Sequence, residues 1–234
     1  MVWADDFAGP PGAPPDPASW TPATGAGGWG NGELQTYTGD PSNVALDGAG
    51  HLLITARRDD DGTWTSARVH TAGRRSVRHG LVQVRARLPV GTGIWPAAWT
   101  LGESLPQVGW PRCGEVDLIE TVGDGAVRVQ TVHGADRDGG HWQRGVPVPP
   151  GPPLSERFHV FAADCGPDQV VFSVDDVVTG VVSADDVPPG GSWACDGPHH
   201  LLLDVAVGGH WPGPPDASTP PVVTMVVDWV RLHG

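Results

Sequence analysis

Three carboxylates stand close together in residues 114–120, which read GEVDLIE. In an extended strand successive side chains point to opposite faces, so Glu115 and Asp117 share one face. Strict alternation would place Glu120 in the apolar core, where an unpaired carboxylate is very costly. A β-bulge, with one extra residue, would return Glu120 to the acidic face. The sequence therefore predicts three carboxylates along one side of one bulged strand.

The same spacing sets a distance between the two glutamates. With the bulge, Glu115 and Glu120 are about four strand steps apart, roughly 13 Å between Cα atoms at ~3.3 Å per residue. Side chains that lean together would bring the carboxyl groups to about 5–6 Å, close to the about 5–5.5 Å of a retaining glycosidase. Like charges this close push two pKa values apart, so one glutamate can be ionised while the other holds a proton. Asp117, between them, can hydrogen-bond the ionised one.

Two noncatalytic roles also fit the spacing of the carboxylates. They could form a solvated acidic edge strand, or they could bind calcium, which prefers oxygen ligands. The spacing by itself leaves both roles open beside the catalytic one.

The elements that must carry these side chains are strands and turns. Glycine (34 residues) and proline (25) make up about a quarter of the 234-residue chain, and 39% of the residues are hydrophobic. This composition disfavours long helices but supplies a core. Short alternating or β-branched runs predict strands at 51–56, 80–88, 114–120, 126–133, 158–164, 169–174, 201–207 and 222–232. The run 222–232 is nearly all apolar, so we expect it to be covered on both faces. We predict one all-β domain over residues 1–234, a sandwich of two sheets.

The charge balance argues against some classes of binding partner. The chain has 14 basic and 27 acidic residues and a net charge of −13, which argues against a nucleic acid or an anionic membrane as partner. No apolar run approaches the ~18 residues of a transmembrane helix. Only five acidic residues are glutamates, at 33, 103, 115, 120 and 156. Aspartate suits turns, so glutamate at 115 and 120 indicates positions that need a longer side chain.

Several further motifs flank the carboxylates in a fixed order. They are DDFAG (5–9), WGNGELQTYT (29–38), TSARVHT (65–71), LPVGTGIWPAAWTLG (88–102), GWPRCGEVDLIE (109–120), TVHG (131–134), FHVF (158–161), DVAVGGHWPG (204–213) and VDWVRL (227–232). With Glu115, Asp117 and Glu120 in a Glu-x-Asp-x-x-Glu pattern, nearly the whole chain resembles glycoside hydrolase family 16, in its laminarinase-like (endo-β-1,3-glucanase) branch.

The resemblance implies a β-jelly-roll of two curved antiparallel sheets with a concave substrate cleft. By motif position Glu115 would be the nucleophile, Glu120 the general acid/base and Asp117 the assisting carboxylate. Glu120 would protonate the glycosidic oxygen while Glu115 attacks the anomeric carbon, and water would then release the sugar with retained configuration.

The resemblance also implies which side chains bind sugar. Indole rings offer flat faces to pyranose rings, and polar side chains bond their hydroxyl groups. The alternative for each residue is a structural role: core packing for a tryptophan, a turn for the asparagine, an ion pair for the arginine, and internal hydrogen bonds for the histidine. The implied binding residues are Trp95, Trp99, Trp110, Asn31, Arg68 and His133.

Members of the family often carry a structural calcium ion on the convex face. The resemblance places its side-chain ligand at Asp228, with backbone carbonyls near Asp6 and Gly48. An aspartate that stabilises a strand end without a metal is the alternative. No cofactor is expected to be required.

The chain departs from the family at two aromatic positions, which are Cys165 and Cys195. If the replaced aromatic residues packed together, these cysteines could bridge, so we predict a disulfide between them with Cys113 free. Three buried thiols are the alternative.

Other departures leave the substrate preference open. Asp204 stands in place of the usual asparagine, and His199 and His200 stand where phenylalanine is common. The loop 135–142 (ADRDGGHW) lacks the usual laminarinase sequence.

The sequence as a whole predicts a secreted, monomeric endo-β-1,3-glucanase. Its partner would be a laminarin-like polysaccharide, with mixed-linkage β-1,3-1,4-glucan as a further substrate. No charged segment followed by an apolar run stands at the start of the sequence. The alternatives are the same fold and mechanism on another polysaccharide, such as a galactan, and a noncatalytic glucan-binding lectin. The intact glutamate pair argues against the lectin.

Overall fold

The computed structural model describes residues 1–234, which form strands joined by turns. The helical elements are short: α1 (Leu105–Val108) and the 3-10 turns Gly28–Gly30, Ala184–Asp186 and Ala194–Asp196. None of them has the length and hydropathy to cross a membrane. The strands are β1 (Trp3–Asp5), β2 (Thr21–Ala23), β3 (Thr36–Tyr37), β4 (Val44–Leu46), β5 (Leu52–Arg58), β6 (Trp64–Ser66), β7 (Arg68–His70), β8 (Ser76–Val77), β9 (Gly80–Arg87), β10 (Ile94–Gly102), β11 (Glu115–Val122), β12 (Val127–Ala135), β13 (His141–Pro147), β14 (His159–Cys165), β15 (Gln169–Val174), β16 (Val177–Ser183), β17 (His199–Val207) and β18 (Val222–Leu232).

The strands form two sheets. The ten-stranded sheet has the order β16-β15-β14-β9-β18-β5-β6-β3, with β1 beside β18 and β4 beside β5. The eight-stranded sheet has the order β13-β12-β11-β10-β17-β7-β2, with β8 beside β17. Every pair is antiparallel except β3 with β6. The predicted all-β sandwich is confirmed, and its architecture is a jelly-roll.

The core lies between the sheets as one cluster of 42 buried residues. Strand β9 shows how the sequence builds it, because Val82, Val84 and Ala86 are buried while Gln83 and Arg85 between them are only half-buried. The strict alternation of this segment is therefore a half-buried strand, as expected.

Strand β18 differs from its prediction. It spans Val222–Leu232 as expected, but Thr224, Asp228 and Arg231 are only half-buried. The strand is thus covered by the core on one face and partly open on the other. Because most residues of this segment are apolar, the sequence pattern did not indicate that its few polar side chains mark a partly open face.

The three cysteines correct an expectation. In the structure all three are free and buried, so the predicted disulfide between Cys165 and Cys195 is absent. Cys165 ends β14 and Cys195 lies in the 3-10 turn Ala194–Asp196. The neighbouring Cys195 thiol and burial raise the pKa of Cys165, so the two side chains lie together inside the core, as expected, but as two thiols.

The expected calcium position is occupied by an ion pair. The Oδ2 atom of Asp228 pairs with the guanidinium of Arg85, and its Oδ1 atom lies 3.9 Å from Nε2 of His51. The backbone carbonyl of Asp6 does lie near this region, 3.6 Å from where a Cβ on Gly50 would stand. The donor set nevertheless does not fit calcium, because a cation bound by this carboxylate would face the arginine charge at close range.

Candidate active site

The acidic strand β11 carries the predicted bulge. Its register against β10 pairs Trp99 with Asp117 and Ala98 with Ile119, so one residue of β11 is extra. Against β12 the register also shifts between Asp117 and Glu120. Leu118 and Ile119 are consequently both buried in the core, and Glu120 returns to the face that carries Glu115. We call this outer face of the eight-stranded sheet the cleft face.

The strand enters the site through Gly114, whose φ is +78°. A Cβ on this residue would lie 2.3 Å from the backbone oxygen of Ala194. Glycine meets both the left-handed conformation and the close approach. The position therefore fixes how β11, and with it Glu115, starts beside the 3-10 turn.

Each of the two glutamates, Glu115 and Glu120, is held by a tryptophan of the cleft face. Nε1 of Trp110 donates to Oε2 of Glu115 at 2.8 Å, and Nε1 of Trp95 donates to Oε1 of Glu120 at 2.9 Å. Asp117, which is 2% exposed, lies on β11 between the two glutamates. The indoles thus orient both carboxyl groups while leaving one oxygen of each free for chemistry.

Burial sets the protonation of these carboxyl groups. It raises the pKa of Glu115 to about 8, an effect that Asp117 enhances and that His133 and the Trp110 hydrogen bond oppose. Burial also raises the pKa of Asp117 to about 8. The pKa of Glu120 lies well above its usual range because of burial and of repulsion from Asp117 and Glu115. A raised pKa lets Glu120 hold a proton that it could donate as a general acid.

Glu115, Asp117 and His133 form the one group of metal-type ligands in the structure, with ligand atoms within 4.8 Å of one another. Nε2 of His133 lies 2.9 Å from Oδ2 of Asp117, a hydrogen bond, and 3.8 Å from Oε1 of Glu115. The hydrogen bond places one proton between the imidazole and the Asp117 carboxyl group. The arrangement suits proton handling next to a reacting carboxylate.

A second histidine extends this chain to the surface. Nδ1 of His133 lies 2.8 Å from Nε2 of His141, and the two rings stack at 5.0 Å. The exposed His141 also packs on Trp110, with ring centroids 4.6 Å apart. When Asp117 is ionised it can only accept, and His133 then donates to it through Nε2 and accepts from His141 through Nδ1. His141 thereby orients His133, which orients Asp117.

We expect His141→Phe to reduce kcat on laminarin about fivefold, the value of one hydrogen bond of about 1 kcal/mol. The phenyl ring keeps the contact with Trp110 but cannot donate to His133. His141→Gln keeps an N–H donor and should retain most of the activity. A phenylalanine variant as active as the wild type would show that the hydrogen bond does not support Asp117.

The three predicted sugar-stacking tryptophans all reach the cleft face. Trp95 and Trp99 are half-buried, and Trp110 is 49% exposed. Trp95 meets Trp211 edge-on at 5.4 Å. Arg68 stacks over the ring of Trp99 at 4.5 Å. None of the three is a core residue, so each leaves indole surface beside the carboxylates.

The polar residues Asn31 and Arg68 lie on the same face. Nδ2 of Asn31 donates to Oε1 of Glu33 at 3.0 Å, and its side chain is exposed in the turn near Trp95. Arg68 pairs in register with Asp204 across β7 and β17. Both positions agree with hydroxyl recognition, and that role stays a prediction.

Beneath the cleft lies a network that the sequence did not reveal. The buried carboxylate of Asp204 accepts from Nε1 of Trp99 at 2.7 Å and from the hydroxyl of Tyr37 at 3.1 Å. The Tyr37 hydroxyl also reaches Glu33 at 3.3 Å. Burial raises the pKa of Asp204 to about 6, with Arg68 opposing the rise. Asp204, which stands where the family usually has asparagine, therefore accepts the hydrogen bond that fixes the ring of Trp99.

The comparisons with known proteins agree with this geometry. The family model described as "Glycosyl hydrolases family 16" matches residues 31–231. The chain is 35% identical to a beta-glucanase of Rhodothermus marinus over 100% of this chain and 84% of that protein. It is 34% identical to a glucan endo-1,3-beta-glucosidase of Cryptopygus antarcticus over 91% of this chain and 82% of that protein. The laminarinase catalytic domain of Thermotoga maritima superposes with a TM-score of 0.88 at 39% identity, over 99% and 96% of the two chains.

Proposed function

The chain belongs to family 16 of the glycosyl hydrolases, and from that premise we propose that this glycoside hydrolase cleaves internal β-1,3 linkages of laminarin-like glucans with retention of configuration. The relatives whose names specify β-1,3-glucan include the Cryptopygus enzyme. Mixed-linkage β-1,3-1,4-glucan is a further substrate of this proposal. Because polymeric glucan does not enter cells, the substrate also favours a secreted enzyme.

One observation carries the proposed mechanism. The bulge at Leu118 and Ile119 places Glu115 and Glu120 on one face of one strand, each held by its own indole N–H. An acid and a nucleophile are needed on either side of a single glycosidic bond, and retention requires the two carboxyl groups to be close. The five-residue separation meets this need only because of the bulge.

The steps start from a protonated Glu120 and an ionised Glu115, a form whose fraction grows as the pH rises towards about 8, the pKa of Glu115. Glu120 donates its proton to the glycosidic oxygen as the bond from that oxygen to the anomeric carbon breaks, and an oxygen of ionised Glu115 bonds the same carbon from the opposite face. Water then attacks this carbon, Glu120 takes up the water proton, and Glu115 leaves as a carboxylate. These steps require no cofactor.

A reducing-sugar assay on laminarin, lichenan, agarose and carrageenan tests the polymer. We expect product from laminarin first, less from lichenan and none from the galactans, with oligosaccharides of intermediate size appearing early. Glu156→Gln, at an exposed glutamate away from the cleft, is the matched control for the same exchange at Glu115. Product from agarose alone would overturn the glucan proposal. Binding of laminarin without product by the wild type would favour a lectin.

A further inference from the structure

Two neighbouring arginines, Arg74 and Arg75, have no ion-pair partner. This is unexpected in a chain with 27 acidic and only 14 basic residues. Elsewhere in the structure arginines do meet carboxylates: Arg85 pairs with Asp228, Arg137 with Asp138, Arg157 with Asp175 and Arg231 with Asp6. Arg75 is linked to a carboxylate, that of Asp16, only through the hydroxyl group of Ser19. The positive charges of both arginines are therefore available to a ligand.

Hydroxyl groups of the protein fix both guanidinium groups. Nε of Arg74 donates to Oγ1 of Thr21 at 3.0 Å, and Nε of Arg75 donates to Oγ of Ser19 at 3.3 Å. The Arg75 guanidinium also lies 6.0 Å from the ring of Trp3. Because these bonds use only Nε, the terminal N–H groups of each arginine remain free to donate. The two side chains thus present oriented donors.

Both arginines line a cavity of about 220 Å³, which we call the arginine pocket. Its lining residues are Val2, Trp3, Arg74, Arg75, Ser76 and Leu232. The walls come from both sheets, since β8 belongs to the eight-stranded sheet and β1 and β18 belong to the ten-stranded sheet. No carboxylate lines the pocket, so nothing in its wall neutralises the two arginines.

The arginine pocket is separate from the catalytic centre. In the register of the eight-stranded sheet, Ser76 pairs with His200, His200 with Leu101, and Leu101 with Glu115. Three strand spacings of about 4.8 Å, roughly 14 Å in all, therefore separate the backbone of Ser76 from that of Glu115. A ligand in the pocket would not touch the reacting atoms, and none of the steps of hydrolysis uses it.

The lining matches an anion that carries two negative charges. Two arginines supply two positive charges, and a monocarboxylate would leave one of them uncompensated. Guanidinium groups bind phosphate-type oxygens through paired N–H donors, and Ser76 adds a hydroxyl group. Val2 and Leu232 supply an apolar wall beside these donors. The net charge of −13 does not prevent binding, because exposed charges more than about 8 Å away are largely screened at physiological ionic strength.

We propose that the arginine pocket binds a phosphate or sulfate group. Arg74 and Arg75 donate to its oxygens, the Ser76 hydroxyl donates to a further oxygen, and the apolar wall packs against the organic part of an ester. The pocket is larger than one tetrahedral anion, which favours an ester over the free ion. This ligand is chemically unlike a neutral glucan, and the proposal does not depend on which polysaccharide is cleaved.

A titration followed by NMR tests whether the pocket binds such a group. The probes are inorganic phosphate, inorganic sulfate and glycerol 3-phosphate at pH 7.5, with the ionic strength held constant by sodium chloride. We expect saturable shifts of the Trp3 indole N–H signal, which is assigned by its loss in Trp3→Phe. Tighter binding of glycerol 3-phosphate than of inorganic phosphate would identify an ester as the ligand, and equal or weaker binding would identify the free ion. No saturable shift with any of the three probes would overturn the proposal.

Arginine variants show whether the pocket is responsible for the binding. The dissociation constant should rise about tenfold in Arg75→Gln and at least about thirtyfold when Arg74→Gln is added, because each change removes charge-assisted hydrogen bonds to the anion. Arg78→Gln removes the same charge from an exposed residue outside the pocket, so this matched control should bind like the wild type. All variants should hydrolyse laminarin at the wild-type rate, which shows that they are folded. Unchanged binding in the double variant, or an equal loss in Arg78→Gln, would overturn the proposal.

Discussion

Replacing Glu115 with glutamine is expected to lower kcat on laminarin by at least about 10³-fold, because no other group in the site can bond the anomeric carbon. Glutamine keeps the shape and can still accept from Nε1 of Trp110, so substrate binding should survive. The measurement is initial-rate hydrolysis of laminarin beside Glu156→Gln. A residual rate above about one tenth of wild type would contradict the assignment of Glu115 as nucleophile.

The same exchange should stabilise the fold at high pH. The pKa of Glu115 is raised from 4.5 to about 8 in the folded protein, so the folded state holds a proton that the unfolded chain has released. The free energy of unfolding therefore falls as pH rises from the unfolded value towards about 8, and stays constant above it. Glutamine has no proton to lose. The variant should melt above the wild type at pH 8, with a smaller difference at pH 4.5, as measured by differential scanning calorimetry.

The bulge in β11 is the part of the site that could be predicted from the residue types alone. Polar and apolar residues conflict with strict alternation at Ile119 and Glu120, and burial of an unpaired carboxylate is costly enough to predict the bulge from the residue types alone. The aromatic positions followed from the resemblance, and the structure places all three on the cleft face. The bulge was predicted from neighbouring residues, and the tryptophan positions were predicted from sequence motifs.

The supporting contacts were not readable because they join distant parts of the chain. Tyr37 meets Asp204 across 167 positions, and His141 reaches Asp117 only through His133 on the next strand. The scarcity of glutamate pointed to Glu115 and Glu120 and to none of these contacts. Besides Glu115 and Glu120, the cleft face carries Glu33 and Glu103.

The disulfide and calcium expectations share one feature. Both concerned pairings that depend on side-chain partners rather than on backbone position. Cys165 and Cys195 do meet, as free thiols. Asp228 occupies its expected strand position, but Arg85 on the neighbouring strand β9 pairs with it. The sequence patterns predicted where these residues lie, but their side-chain partners come from distant parts of the chain and could not be predicted from those patterns.

The largest remaining effect is expected from Glu120→Ala, which removes the general acid/base. The wild type needs Glu120 protonated, so its activity should be lost as pH rises through the raised pKa of this group. On laminarin the variant should lose about 10²- to 10⁴-fold in kcat. On 2,4-dinitrophenyl β-laminaribioside the first step should survive, since that leaving group departs without a proton, and the alkaline limb should disappear.

Azide then distinguishes the proposed double displacement from a single one. In Glu120→Ala the glycosyl group waits on Glu115, and azide bonds the anomeric carbon as the bond to the Glu115 oxygen breaks. Two inversions give net retention, so the product should be β-laminaribiosyl azide, identified by the proton coupling at the anomeric carbon. The Glu115→Gln protein cannot form the covalent intermediate and should give no β-azide. An α-azide from Glu120→Ala would show that Glu115 never bonds the sugar, and would replace retention with inversion.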